Sequence, residues 1–224
     1  MPSAPDVRAP MTRIEEEELA AVPVFPLPQV VLFPEVLLPL HIFEPRYRAM
    51  LSDCLDGNGA LVIAQIDRES GRIADVAGVG VIIDHRPLPD GRANIVVAGS
   101  ARVRLDELVV EDLPRYPYKR ARATRLDELH VTVGDADRAA LVAAATMFVT
   151  EVKKHDPTFE FRMPAQPTAG ALADCCAYHL VVDPAVRQAI LEELDPRVRV
   201  RMVMDQLALQ HGAMLGEAKG TVLN

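Results

Sequence analysis

The side chains able to do covalent chemistry are few, and their spacing suits none of the common reactions. Three cysteines, Cys54, Cys175 and Cys176, are odd in number. Two are neighbours whose side chains diverge on a helix, so neither a disulfide framework nor a CxxC metal clamp is available. They are expected to be small buried hydrophobes. The six histidines, His41, His85, His130, His155, His179 and His211, contain no HExxH or HxxxH pair that would set two imidazoles on one helical face. Asp84, His85 and Ser100 have the residue types of a nucleophilic triad, but adjacent residues on a strand point to opposite faces, which parts the acid from the base. No GxxxxGK[ST] loop is present to cradle a phosphate. The expectation is a chain that is not an enzyme and carries no metal or cofactor.

Residues suited to gripping another molecule are denser. The stretch from His41 to Tyr47, HIFEPRY, sits at the exit of a strand and the start of a helix. Phe43, Tyr47 and Met50 could form an apolar groove edged by Glu44 and Arg46. Alternatively Phe43 enters the core, Glu44 caps the helix and Arg46 pairs with an acid. The proline-bounded run VLFPEVLL at 31–38 poses the same choice: Leu32, Phe33 and Leu37 either line a groove for extended peptides or pack inside. The candidate peptide-binding set is therefore Leu32, Phe33, Leu37, Phe43, Glu44, Arg46, Tyr47 and Met50. A basic concentration, Arg115, Lys119, Arg120, Arg122 and Arg125 with Tyr116 and Tyr118, could stack and neutralise a single strand of nucleic acid. Its alternation reads instead as the solvated face of a strand.

These residues need elements to hold them. The chain has 224 residues, 50% hydrophobic and 25% charged, with ten aromatics and no Trp, which excludes disorder and predicts an aliphatic core. A net charge of −8 disfavours duplex DNA. No apolar run is long enough to span a bilayer, and a cytoplasmic location is expected. Residues 1–21 hold five acids and two bases and read as a disordered acidic tail. Residues 22–125 read as a β-rich subdomain, with apolar runs at 22–27, 36–42, 60–66, 77–85, 93–98, 102–110 and 118–124. Asp90-Gly91 marks a hairpin, and Pro45 opens one helix that ends before Gly57. After Gly134 the apolar period becomes helical. A helix runs from Asp135 to before Pro157, another over 168–180, and Asp183-Pro184 and Asp195-Pro196 start two more. Residues 126–212 thus read as a helical subdomain and 213–224 as a flexible tail. The fold class is α+β: a pseudo-barrel of six or seven strands with one helix, followed by a four-helix bundle.

Several segments in this frame carry a family pattern. VPVFPLP at 22–28, VLFP at 31–34 and LPLHIFEPRYRAM at 38–50 resemble the opening of the Lon protease N-terminal, or substrate-binding, domain family. GVGV at 78–81, LPDGR at 88–92, VAGSARVR at 97–104, YPYKRA at 116–121, LAD at 172–174 and RQAILEELDPR at 187–197 continue the resemblance in the family's order. It implies a PUA-like barrel followed by helices, and a stand-alone member without the ATPase and Ser-Lys peptidase parts. By the same resemblance the expected partners are unfolded proteins or exposed peptides, with a protease or chaperone machine downstream. An RNA or small-molecule reader is the alternative, because the family barrel is similar to that of some RNA-modification domains.

Overall fold

The structure, a computed structural model, describes residues 14–109 and 115–221. Six strands form: β1 (Val22–Leu27), β2 (Leu37–Ile42), β3 (Ala60–Gln65), β4 (Val76–Pro87), β5 (Ala93–Val109) and β6 (Lys119–Leu126). They are ordered β2-β5-β4-β3-β1-β6, with a further pairing of β6 to β5. All neighbours are antiparallel except β1 and β3. The path β5-β4-β3-β1-β6 therefore returns to β5. It closes unevenly: β4 follows β5 from Val76 to Pro87, whereas β1 meets β6 only over Val22–Val24. Of the seven apolar runs, 93–98 and 102–109 turn out to be one strand, and Val110 lies outside the described residues. Gly99-Ser100 has a turn-like composition, yet Gly99 is buried inside the strand.

Each strand of the ring contributes alternate residues to one interior cluster, including Val22, Val24, Val62, Ala77, Val79, Ala101, Val103, Ala121 and Ala123. The residues are small because a ring of few strands leaves little room inside. The segment at 14–21, expected to be solvated, belongs to this cluster: Glu16–Leu19 form a short 3-10 helix, and Ile14 and Leu19 are buried. Two apolar residues flanking the acidic run gain more from burial than the acids lose by lying at the surface. Residues 1–13 lie outside the described part.

Helix α1 (Pro45–Asp56) covers the other face of the sheet through Tyr47, Met50, Leu51 and Cys54. Four more helices follow: α2 (Asp135–His155), α3 (Ala169–Leu180), α4 (Pro184–Glu192) and α5 (Pro196–Thr221). Asp183 and Asp195 each accept a backbone N–H of the first turn they precede, at 2.8 Å in both cases. Helices α2, α3 and α5 pack against one another, whereas α4 also lies against β4. It is tied to the sheet side by Gln188 donating to the Val76 carbonyl at 2.8 Å and Arg187 donating to the Gln29 carbonyl at 3.1 Å. The expected flexible tail from 213 is helical to Thr221, since neither proline nor a capping signal interrupts the segment after Pro196.

Where sheet meets helices, two arginines and an aspartate are taken out of water together. Arg102 of β5, Asp174 of α3 and Arg199 of α5 are 4%, 2% and 0% exposed. The Asp174 carboxylate accepts from Arg102 Nη2 at 2.6 Å and faces Arg199 Nε at 3.2 Å. Arg102 Nε also donates to the Leu191 carbonyl at 2.8 Å, and Arg199 Nη1 to that of Glu193 at 3.0 Å; Glu128 pairs with Arg199 from the rim. Burial raises the Asp174 carboxyl's pKa against the pull of the two guanidinium groups. Asp174→Ala strips the buried Arg102 of its carboxylate and leaves Arg199 only the rim Glu128, and is expected to cost about 3–5 kcal/mol of stability, measured by urea denaturation.

Candidate functional site

The binding residues expected from sequence divide into two groups. Leu32 and Phe33 are fully buried, Tyr47 is 6% exposed and Met50 1%. These four are packing elements and cannot line an open groove. Phe43 is 59% exposed, Arg46 is exposed, and Leu37 and Glu44 are half-buried. The reason lies in the backbone. The segment at 31–36 lies flat on the sheet where it has no side chains: a Cβ on Gly78 would sit 2.0 Å from the Leu32 carbonyl oxygen, and one on Gly99 2.0 Å from that of Phe33. At such close approach Leu32 must enter the α1-side core, while Val31, Phe33 and Val36 enter the helical core.

Phe43 stays outside because Ile42, its neighbour, takes the inward position at the end of β2. Its ring stacks on His41 with centroids 6.1 Å apart, and His41 Nδ1 lies 2.8 Å from Asn94 Oδ1 across the strand pair. Beyond Phe43, the Arg46 and Glu44 side chains pair at 2.9 Å, and the Arg46 guanidinium also lies 4.5 Å above the buried Tyr47 ring. Tyr47 in turn meets Phe25 at 4.3 Å. Burial raises the Tyr47 phenol's pKa, opposed by Arg46. The helix cap expected at Glu44 is not a side-chain cap; its carboxylate is turned to Arg46, and the Glu44 carbonyl accepts the N–H of Tyr47 and of Arg48, each at 3.0 Å.

Residues not foreseen complete this surface. Cross-strand register sets Leu37, Ala98 and Val81 in one row, Pro39, Val96 and Asp84 in the next, and His41, Asn94 and Arg86 in a third. The first two rows are mostly apolar and partly open, with Pro39 exposed and Leu37, Val96 and Ala98 half-buried. Charged pairs lie at the ends: Asp84 with Arg86 at 3.0 Å and Asp90 with Arg92 at 2.5 Å. Pro39 lacks the N–H that a second neighbouring strand would need, but a strand proline alone does not mark the edge, since β1 carries Pro23 and Pro26 between β3 and β6.

The other candidates resolve differently. All three thiols are buried, and burial pushes Cys54 and Cys176 up to about 12 and Cys175 to about 11. Asp84 is paired with Arg86. In the basic stretch, Arg115 and Arg120 lie over the Tyr116 ring at 5.3 and 4.4 Å, but Tyr118 is buried with its hydroxyl on Asp53 at 2.5 Å. That leaves one stacking ring, half-buried and already covered by arginines. A separate polar cleft of about 870 Å³ opens between the β3–β4 connection and the start of α4, lined by Asp67, Arg72, Asp75, Asp183 and Glu192 among others. It contains none of the candidate peptide-binding residues.

The profile of the ATP-dependent protease La (LON) substrate-binding domain matches residues 21–208. The Lon protease of Roseiflexus castenholzii is 31% identical over 198 residues, 83% of this chain and 24% of that protein. The Lon protease of Trichlorobacter lovleyi is 27% identical over 221 residues, 93% of this chain and 26% of that protein. The chain thus spans about a quarter of the length of these curated relatives. Among solved structures, a Lon N-terminal domain protein from Xanthomonas campestris shares the fold with a TM-score of 0.64 at 19% identity, covering 83% of this chain and 97% of that one. The N-terminal domain of a Mycobacterium avium complex Lon protease does so at 0.65 and 19%, covering 84% and 98%.

Phe33→Ala is expected to cost about 3–5 kcal/mol in chemical denaturation, while Phe43→Ala stays within about 0.5 kcal/mol. Ellman's reagent at mildly alkaline pH should find none of the three thiols in the folded chain and all of them after unfolding. With its profile matched from 21 to 208, the chain belongs to the Lon substrate-binding domain family.

Proposed function

We propose that this chain is a non-catalytic protein-binding module, acting in the cytoplasm, that holds exposed segments of unfolded proteins and hands them to a protease or chaperone machine. In this reading the part at 22–125 presents the surface and the helical part at 126–212 backs it. The observation that carries the proposal is the corner at the end of β2, where Phe43 is 59% exposed beside exposed Pro39 and His41, with Glu44 paired to Arg46 and Asp84 to Arg86 on its rim. An exposed large ring on a sheet edge with half-open aliphatic rows beside it has little to gain from water and much from an apolar partner. The family description names substrate binding, which supports the same reading. The buried, high-pKa thiols support its non-catalytic part, since a thiol held protonated is a poor nucleophile.

The test is capture of a permanently unfolded, carboxymethylated model protein. Phe43→Ser combined with Arg46→Glu is expected to weaken capture about tenfold. The thermal transition should stay where it is, because both side chains lie outside the core. Unchanged capture by the folded double variant would move the binding surface elsewhere, and tight, salt-sensitive binding of RNA would favour the basic stretch instead.

A further inference from the structure

The open edge of β2 has a directionality that the backbone bonds settle. Gly99 donates its N–H to the Val36 carbonyl at 2.9 Å, so Leu37 and Ala98 form a non-hydrogen-bonded pair, and the even residues of β2 direct their backbone groups at β5. The odd residues, Leu37, Pro39 and His41, direct theirs outward. Two independent features agree. Proline at 39 has no N–H to give to a ladder, and the Leu37 carbonyl accepts an outside donor, the Tyr178 hydroxyl of α3, at 3.3 Å. Among the described residues, β2 pairs with β5 alone. Among the same residues, what remains along the outer edge is the N–H of Leu37, the carbonyl of Pro39, and both the N–H and the carbonyl of His41.

We propose that this edge is where the client binds, as an added β-strand whose main chain exchanges two hydrogen bonds with His41 and donates a third to the Pro39 carbonyl. This rests on the reading of the chain as a binding module and specifies its mode of recognition. Residues of the added strand opposite His41 and Pro39 fall on the same face as those two, beside the Phe43 ring stacked on His41 and the half-open Val96 of the next strand. The acids nearest that face are already paired, Glu44 with Arg46 and Asp84 with Arg86, so the rim suits an uncharged segment. The occupant is therefore an extended, proline-poor stretch of a polypeptide with apolar residues at alternate positions. Such stretches lie in the cores of folded proteins and become available only on unfolding, so main-chain pairing supplies affinity for many sequences while selecting the unfolded state.

Edge pairing can be separated from side-chain contact at a single residue. His41→Pro removes the outward N–H without touching the β5 ladder, whereas His41→Ala removes the imidazole and keeps the N–H. With a short fluorescein-labelled peptide of alternating apolar and polar residues, fluorescence polarisation should show His41→Pro binding about tenfold more weakly and His41→Ala within about threefold of the unmodified chain. Independently of any variant, N-methylation of the peptide at successive positions should weaken binding to the unmodified chain at alternate positions only. Equal affinities of the two variants, or no alternation in the methylation series, would overturn edge pairing while leaving the module reading intact if the carboxymethylated protein is still captured. Absence of binding to either probe would overturn both. A dimer of this chain that dissociates in His41→Pro and not in His41→Ala, without peptide affinity, would assign the edge to a second copy and also refute the proposal.

Discussion

The contact on which this molecule depends is backbone against backbone. The carbonyls of Leu32 and Phe33 press on β4 and β5 at Gly78 and Gly99, where any side chain would strike them. Because that approach is so close, the segment at 31–36 is held between sheet and helices, with Glu35 donating to the Gly99 carbonyl and Gly99 to that of Val36, both at 2.9 Å. Its side chains then have only two destinations. Leu32 joins the core under α1, and Val31, Phe33 and Val36 join the core of the helical part. One short segment thereby belongs to both halves of the molecule, and the Arg102–Asp174–Arg199 cluster fixes the same junction with charge.

This constraint also decides where a surface is left over. The bond from Gly99 to Val36 sets the pairing phase of β2, which turns Pro39 and His41 outward and leaves Phe43 past the strand's end. The apolar surface that a protein-binding module needs is therefore displaced by a few residues along the chain from the run with the most apolar composition. The helical part contributes at one point, where Tyr178 closes the Leu37 end of the edge with its hydroxyl.

Much of this was legible from residue types alone. Asp183-Pro184 and Asp195-Pro196 announce helix starts because an N-cap carboxylate followed by proline has a local meaning, and the structure has both caps. The strand at 22–27 and the helix from Asp135 to His155 follow equally from period and punctuation. Phe33 and Phe43 did not separate in this way. Both are aromatic and both sit near prolines, and what buries Phe33 is a set of helical residues, such as Leu141 and Val203, more than a hundred positions away. The continuity of β5 through Gly99 was hidden for a related reason: a glycine required by close packing looks the same in sequence as one required by a turn.

If clients engage the β2 edge and the Phe43 corner, the segment at 31–36 serves only to hold the two halves together. Hydrogen–deuterium exchange of the whole chain, with and without the carboxymethylated model protein, tests it most directly. Added protection is expected at the amides of His41 and Phe43 on client binding, with the amides from Val31 to Phe33 unchanged. Protection that appears instead on the helical part or around the polar cleft at Asp67 and Asp183, with His41 unaffected, would contradict it.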